Sequence, residues 1–531
     1  MDVAVYETTL RDGLQGEGLN LSVEDKLMLT GVLDDLGVSY IEGGWPGSNP
    51  RDQEYFSRVK KVTLKHSRLA AFGATRRAGK ACDDDPSIQA MLTAETKVVT
   101  IVGKSWKFQA TNALGISPEE NLEIIEDSIR YLKSRVDEVV FDAEHFFDGY
   151  LEDADYALEV LSAATAGGAD HLVLCDTNGG TMTHDVRRIV EHVLRKTERP
   201  LGIHTHNDAE MAVANTVTAV AAGVGMVQGT INGFGERCGN ANLISVIPAL
   251  ELKLKKRCLP DGKLALLTHV SRTVDELTNR TPQSSQPYVG RSAFAHKGGI
   301  HANAVMKDRR TYEHIEPEAV GNRQRILVSD LSGRSSVVLK AREFGIDLEQ
   351  DDPATPVILD RLKCLESKRY VFEAADASFK LLVDWAKGQR PKYFDLHDLD
   401  VTVDIASDEE SEKNAVNVQS KARIKLEIGG VVAEARATGQ GPVHAIDQTL
   451  RKLIDKFYPS LKEVELLDYK VRVLSSSTGT GSVVRVLIRS GDHKEVWGTV
   501  GVSHNIIEAS WQAMVDALEY QLIRDGVEPY L

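Results

Sequence analysis

The sequence predicts an α/β chain made of a (β/α)8 barrel, a mostly helical region and a duplicated βββα module, and three observations carry that expectation. Eight short apolar runs rich in β-formers recur in the first half, their starts 25 to 39 residues apart, each followed by a longer stretch with helical spacing. No G-x-G-x-x-G follows the first run; polar residues gather instead at the C-terminal ends of the runs. From about residue 396 the period switches, and one strand–strand–strand–helix pattern appears twice.

The runs lie at 2–6, 38–42, 68–72, 97–102, 136–141, 170–175, 201–205 and 226–231. Their spacing is what a strand plus a crossover helix needs, and eight such units close a parallel barrel. An open doubly wound sheet alternates strands and helices in the same way. The count and the polar strand ends favour a barrel over residues 1–265. Its strand ends would ring one mouth, where Arg11, Asp12, Glu42, Glu144, Thr177, His204, His206, Glu236 and Asn240 stand.

Residues 266–395 read as a helical linker or lid, interrupted by TPQSSQPYVGRSAFAHKGGIHANAV. Residues 396–531 read as the third domain. Its first copy has strands at 397–405, 420–428 and 431–438 and a helix from Val443 to about Phe457; its second has strands at 463–475, 481–490 and 494–501 and a helix at 505–523. The segment SDEESEKN at 407–414 reads as a solvated hairpin loop. A duplication is structural by default, but the seam between two copies is also a candidate pocket for a small effector.

Composition narrows the function classes. The chain has 531 residues, 42% apolar and 27% charged, with room for two to four domains. A net charge of −15 argues against nucleic acid and anionic lipid as partners. The five cysteines are scattered without C-x-x-C spacing, so neither a disulfide frame nor a zinc knuckle is expected, and a reducing cytoplasm is the expected location. The most apolar stretch, 211–228, is broken by Asn215, Thr216 and Thr218, and the N-terminus has no export-signal pattern; no membrane span is expected.

His204 and His206 flank Thr205 at the end of the seventh run. Residues two apart on a strand point the same way, so both imidazoles can grip one cation. The bland alternative is a pair of structural histidines. Asp12 ends the first run, which lies beside the eighth in a closed barrel, and Asn240 follows the eighth. Singly, Asp12 reads as an N-cap and Asn240 as a turn residue. Together the four offer two nitrogen and two oxygen ligands to one cation, with positions left for substrate or water. Arg11 is placed to steady a carboxylate or an oxyanion, against a surface ion pair. Glu144 in FDAEH can orient a water or a histidine, or be a solvated loop residue; Thr177 can donate to a carboxylate, or serve a turn. The glycines of GFGERCGNAN predict a tight loop that sets Asn240, with Glu236 and Arg237 as its scaffold.

In that order, ETTLRDGLQ, GIHTHNDAEMAVAN, NGFGERCGNAN and HKGGIHANAV resemble the signature segments of the isopropylmalate, homocitrate and citramalate synthase family, and the likeness spans essentially the whole chain. YIEGGWPGSNPRD, FDAEHFFDGY, VGNRQRILVSDLSGRS and GVSHNIIEASW are most similar to its citramalate synthases. The resemblance implies an acyltransferase that condenses acetyl-CoA with pyruvate to (R)-citramalate and CoA, feeding isoleucine biosynthesis. A divalent metal, Mn, Mg or Zn, would be held by Asp12, His204, His206 and Asn240. Arg11 and Glu144 would be catalytic, and Thr177 would hold the keto-acid carboxylate. His301 and Tyr312 would reach an active site, that of the partner in a homodimer, with His301 as the base for the acetyl methyl. The duplicated tail would bind isoleucine as an effector. Glu7, Asp142 and Asn303 depart from the family pattern, whereas the metal ligands match it. A larger 2-keto acid, as in 2-isopropylmalate or homocitrate synthase, is the nearest alternative. A metal-dependent pyruvate aldolase or lyase is a more distant one, with no need of the tail.

Overall fold

A computed structural model describes residues 2–297, 299–327, 334–349, 351–407, 416–474 and 482–530. The chain forms two compact units, residues 1–294 with 313–324 and residues 295–312 with 325–531.

The first unit holds the barrel. Strands β1 (Ala4–Glu7), β2 (Tyr40–Gly44), β3 (Arg68–Ala74), β4 (Val98–Lys104), β5 (Glu138–Glu144), β6 (His171–Asp176), β7 (Leu201–Thr205) and β8 (Met226–Gly229) pair in parallel in chain order. β8 returns to β1 through Val5 opposite Val227 and closes the ring. The crossover helices have sequence-encoded starts. Ser22 and Asp25 form a reciprocal cap on the helix Val23–Leu36. Asn49, Asp85 and Ser117 each cap a helix whose first residue is a proline, where the missing N–H costs nothing. The inner faces of these helices and the outer faces of the strands make one continuous core, with Leu29, Leu33, Ile41, Phe56, Ile88, Ile125, Phe141 and Ile203 fully or almost fully buried.

β8 stops two residues short of the predicted end. The chain after it folds back, with Thr230 N–H donating to Ala241 O and Leu243 N–H to Thr230 O, and Asn232 turns into the left-handed region at φ 61°. These bonds take the place of the strand ladder, which apolar patterning alone cannot foresee.

The second unit contains the short strands β9 (Ala295–His296) and β10 (Arg325–Ile326), and helices Gly299–Lys307, Arg334–Glu343, Ala354–Ser367 and Asp376–Ala386. Two antiparallel sheets follow: β11 (Asp395–Ser407), β12 (Val416–Ile428) and β13 (Val431–Gly439), then β14 (Glu465–Val473), β15 (Val484–Gly491) and β16 (Val496–Ser503). Helix Pro442–Ile454 follows the first sheet and helix Ile506–Arg524 the second, and both contribute to one apolar cluster. The register breaks at the same place in each copy, between Leu396 and Asp398 and between Leu466 and Asp468. A shared irregularity of this kind marks the two as copies of one unit. The barrel, the helical region and the duplicated βββα module all form as the sequence predicts. Beyond Ser407, the predicted loop at 407–414 lies outside the described residues.

Candidate active site

Alternation along the strands builds the site in layers. Tyr6, Tyr40, Ala70, Val98, Val140, Val173, Cys175 and Met226 fill the barrel as a buried plug. Two residues further along their strands, on the same inward face, stand Glu42 after Tyr40, Thr100 after Val98, Asp142 after Val140 and Gln228 after Met226, with His204 two beyond Gly202. All five are buried. A polar floor therefore lies directly on an apolar plug, which is where a barrel places its chemistry.

Above the floor, Asp12, His204 and His206 bring one ligand atom each to within 4.8 Å of one another, and all three are buried. His204 Nε2 lies 3.6 Å from Asp12 Oδ2, and the imidazole centroids are 5.1 Å apart. Asn240 joins them, donating from Nδ2 to Asp12 Oδ1 at 3.1 Å and to Phe234 O at 3.1 Å. The glycine-bearing loop sets that position. Gly239 has φ 89°, and a Cβ there would stand 2.0 Å from Gly233 O, so no other residue fits the turn without displacing it. Arg237 ties the loop down, donating to the Asp208 carboxylate at 2.8 and 3.0 Å and to Thr177 O at 2.7 Å.

Electrostatics prepare the cluster to take a cation. Burial alone would raise the Asp12 carboxyl; the Arg11 guanidinium and the two imidazoles outweigh it and hold it at about 2. Burial, with His204 beside it, pushes His206 down to about 4, and burial lowers His204 against the pull of Asp12. Near neutral pH the carboxylate is charged and both imidazoles keep a lone pair. Burial and the charge of Glu42 raise the Asp142 carboxyl to about 8.

Arg11 is held rather than free. Its Nε donates to Glu42 Oε2 at 2.6 Å, its Nη1 lies 3.2 Å from Asp12 Oδ2, and its guanidinium sits over the Phe72 ring at 3.9 Å. Burial opposes its charge, but Glu42 and Asp12 win and keep it protonated. Glu42 also accepts from Tyr6 Oη at 2.9 Å and from Thr8 Oγ1 at 2.5 Å, so three donors fix one fully buried carboxylate.

The remaining predicted residues are placed as follows. Glu144 ends β5 and pairs with Lys104, its register partner on β4. Thr177 Oγ1 accepts from His145 N–H at 2.8 Å, a bond that leaves its own proton to donate. His301 and Tyr312 lie in the second unit with ring centroids 4.2 Å apart, and Tyr312 is half exposed. Thus Asp12, His204, His206, Asn240 and Arg11 come together in the first unit, and His301 with Tyr312 in the second. Sequence reasoning missed Gln228, Lys104 and the grip of Glu42 on Arg11. The inward period of two could have found Gln228, two residues past the plug residue Met226.

The HMGL-like family model matches residues 2–274, a homocitrate synthase post-HMGL domain-like model 288–369, and a LeuA allosteric (dimerisation) domain model 373–522. An (R)-citramalate synthase of Geobacter sulfurreducens is 52% identical over 98% of this chain and 97% of its own length. One of Aquifex aeolicus is 49% identical over 100% and 99%. The chain belongs to the (R)-citramalate synthase family. A 2-isopropylmalate synthase of Halalkalibacterium halodurans is similar at a lower level, 30% identical over 98% of this chain and 97% of its own.

Enzymes with an HMGL-like domain generally depend on a divalent metal, and the residues here fit one. Two buried polar atoms, Asn240 Oδ1 and His206 Nδ1, have no hydrogen-bond partner among the described residues. An orphaned amide oxygen beside a charged Asp12 is costly unless a cation satisfies it. The donor set of carboxylate, imidazole and amide oxygen suits a hard or borderline divalent ion. No described helix is long and apolar enough to cross a membrane.

Proposed function

We propose that this synthase joins the acetyl group of acetyl-CoA to pyruvate, giving (R)-citramalate and CoA and supplying isoleucine biosynthesis. The observation that carries the reading is the convergence of Asp12, His204, His206 and Asn240 beside a buried, charged Arg11. Full-length identities of 44 to 52% to (R)-citramalate synthases, against 30 to 32% to 2-isopropylmalate synthases, support pyruvate over a larger keto acid.

In the reaction the acetyl methyl loses a proton, its carbon bonds to the keto carbon of pyruvate, and the keto oxygen is protonated; water then cleaves the thioester and frees the thiol. A bound divalent ion, Mn, Mg or Zn, supplies Lewis-acid polarisation of the keto group, with Asp12, His204, His206 and Asn240 as its holders. Arg11, immobilised by Glu42, donates to the oxygen as charge builds on it. Thr177 donates to the pyruvate carboxylate, and Glu144 is the carboxylate of the mouth available for proton transfer. We assign the methyl proton to His301, with Tyr312 assisting, each serving the active site of the other subunit of a homodimer, because an imidazole can both accept and release a proton.

The proposed division of labour is catalysis in residues 1–265, a linker or lid in 266–395 and regulation in 396–531. The match to an allosteric dimerisation domain supports a homodimer regulated through its tail, and isoleucine is the effector we assign to it. The scattered cysteines, all free among the described residues, favour a reducing cytoplasm.

Thiol release with a panel of 2-keto acids tests the reading. Pyruvate should outpace 2-oxoisovalerate and 2-oxoglutarate by at least about tenfold in kcat/KM, the discrimination expected from added methylenes in a fitted pocket. Isoleucine should slow the pyruvate reaction, and His301→Ala should stop it while Mn2+ and pyruvate still bind. A preference for either larger acid would overturn the substrate assignment, and unchanged turnover in His301→Ala the base.

A further inference from the structure

We infer that Gln228 and Asp142 form a buried relay that fixes the tautomer of His204 and turns its Nε2 lone pair toward Asp12. The inference rests on the ligand set proposed above and adds two positioning residues to it. His204 Nδ1 is 3.0 Å from Gln228 Oε1, and Gln228 Nε2 donates to Asp142 Oδ1 at 2.9 Å. The relay crosses the polar floor from β7 through β8 to β5. Gln228 is fully buried, Asp142 is 4% exposed and His204 6% exposed, so water offers little competition for these bonds.

Direction follows from donor chemistry. An amide has one face that accepts and one that donates. In the structure Gln228 Nε2 faces Asp142 Oδ1, which accepts from it, and the same placement of the amide leaves Oε1 facing His204 Nδ1. That oxygen can only accept, so the imidazole proton is held on Nδ1. The lone pair is then on Nε2, the nitrogen 3.6 Å from Asp12 Oδ2. The opposite tautomer would set a lone pair against Gln228 Oε1 and an N–H where a ligand atom is needed. Outer partners that orient a ligating imidazole are commonly worth 10- to 100-fold in metal affinity.

The test uses the full-length protein and two readouts. In metal-free protein with 15N-labelled histidine, the His204 ring nitrogens, assigned by their loss in His204→Gln, should show the Nδ1–H form. Gln228→Met, which keeps length and loses the acceptor, should give a mixture of tautomers and weaken Mn2+ binding by about 10- to 100-fold. Gln228→Glu, which restores an acceptor, should recover the Nδ1–H form. If Gln228→Met does not fold, Asp142→Asn carries the same readouts, because an asparagine no longer dictates which way the amide turns. Retention of the Nδ1–H form with wild-type Mn2+ affinity in the folded variant overturns the relay. Asp12→Asn and His206→Ala separate the two readings. If they bind Mn2+ as tightly as wild type, the ligand assignment falls; if they lose Mn2+ while Gln228→Met does not, only the relay falls.

Discussion

Replacing His204 and His206 together by alanine is expected to remove stoichiometric Mn2+ and to lower CoA release by about 10³-fold or more. The size follows from what the ion supplies. Polarisation of a keto group is worth several kcal/mol of transition-state stabilisation, and each 1.4 kcal/mol is a factor of ten in rate. No neighbour can take over. Asp12 and Asn240 are the remaining proposed holders, and the orphaned Asn240 Oδ1 is a weak ligand alone. The fold should survive, because both imidazoles sit above the apolar plug and not within it. Metal content by elemental analysis and thiol release on the same preparation check the expectation. Full turnover in a metal-free double variant would remove the basis of the proposed mechanism.

The second large effect is expected at Glu42, which touches no proposed metal position. Glu42→Gln keeps the volume but removes the charge that Arg11 Nε, Tyr6 Oη and Thr8 Oγ1 all address. Breaking a buried ion pair from one side costs about 3 kcal/mol, because the buried Arg11 charge is left with Asp12 alone. For a barrel of this size that is a fall of roughly 6 to 12 °C in the midpoint of its unfolding transition. Turnover should drop by about 10²- to 10³-fold, the loss seen when a donor to a developing oxyanion is misplaced. Calorimetry and kcat on one preparation check both halves. Wild-type kcat with an unchanged midpoint would mean that Arg11 needs no anchor.

Much of this site was legible in the order of residues, and what was hidden has a common cause. His204 and His206 announce themselves because two residues on one strand share a face whatever the rest of the fold does. Asp12 and Asn240 became readable once eight units implied a closed ring, which sets β1 beside β8. Gln228 and Asp142 are 86 positions apart, on strands β8 and β5, and no local pattern joins an amide to a carboxyl across the inside of a barrel. Lys104 and Glu144 meet only because β4 and β5 align at that register. His301 and Tyr312 came from family likeness alone. The duplicated module was legible from its period, whereas the matching register breaks after Leu396 and Leu466 are set by pairing between strands.

The packed column of Tyr6, Tyr40, Val98, Val140, Val173 and Met226 blocks passage through the barrel beneath the polar floor. Everything the site consumes must arrive through the opening by which everything it makes departs. The liberated thiol, still carrying the nucleotide handle of its parent thioester, therefore obstructs the next acyl donor until it has gone. Inhibition by the free thiol, competitive with the acyl donor, is the expected sign of that shared route.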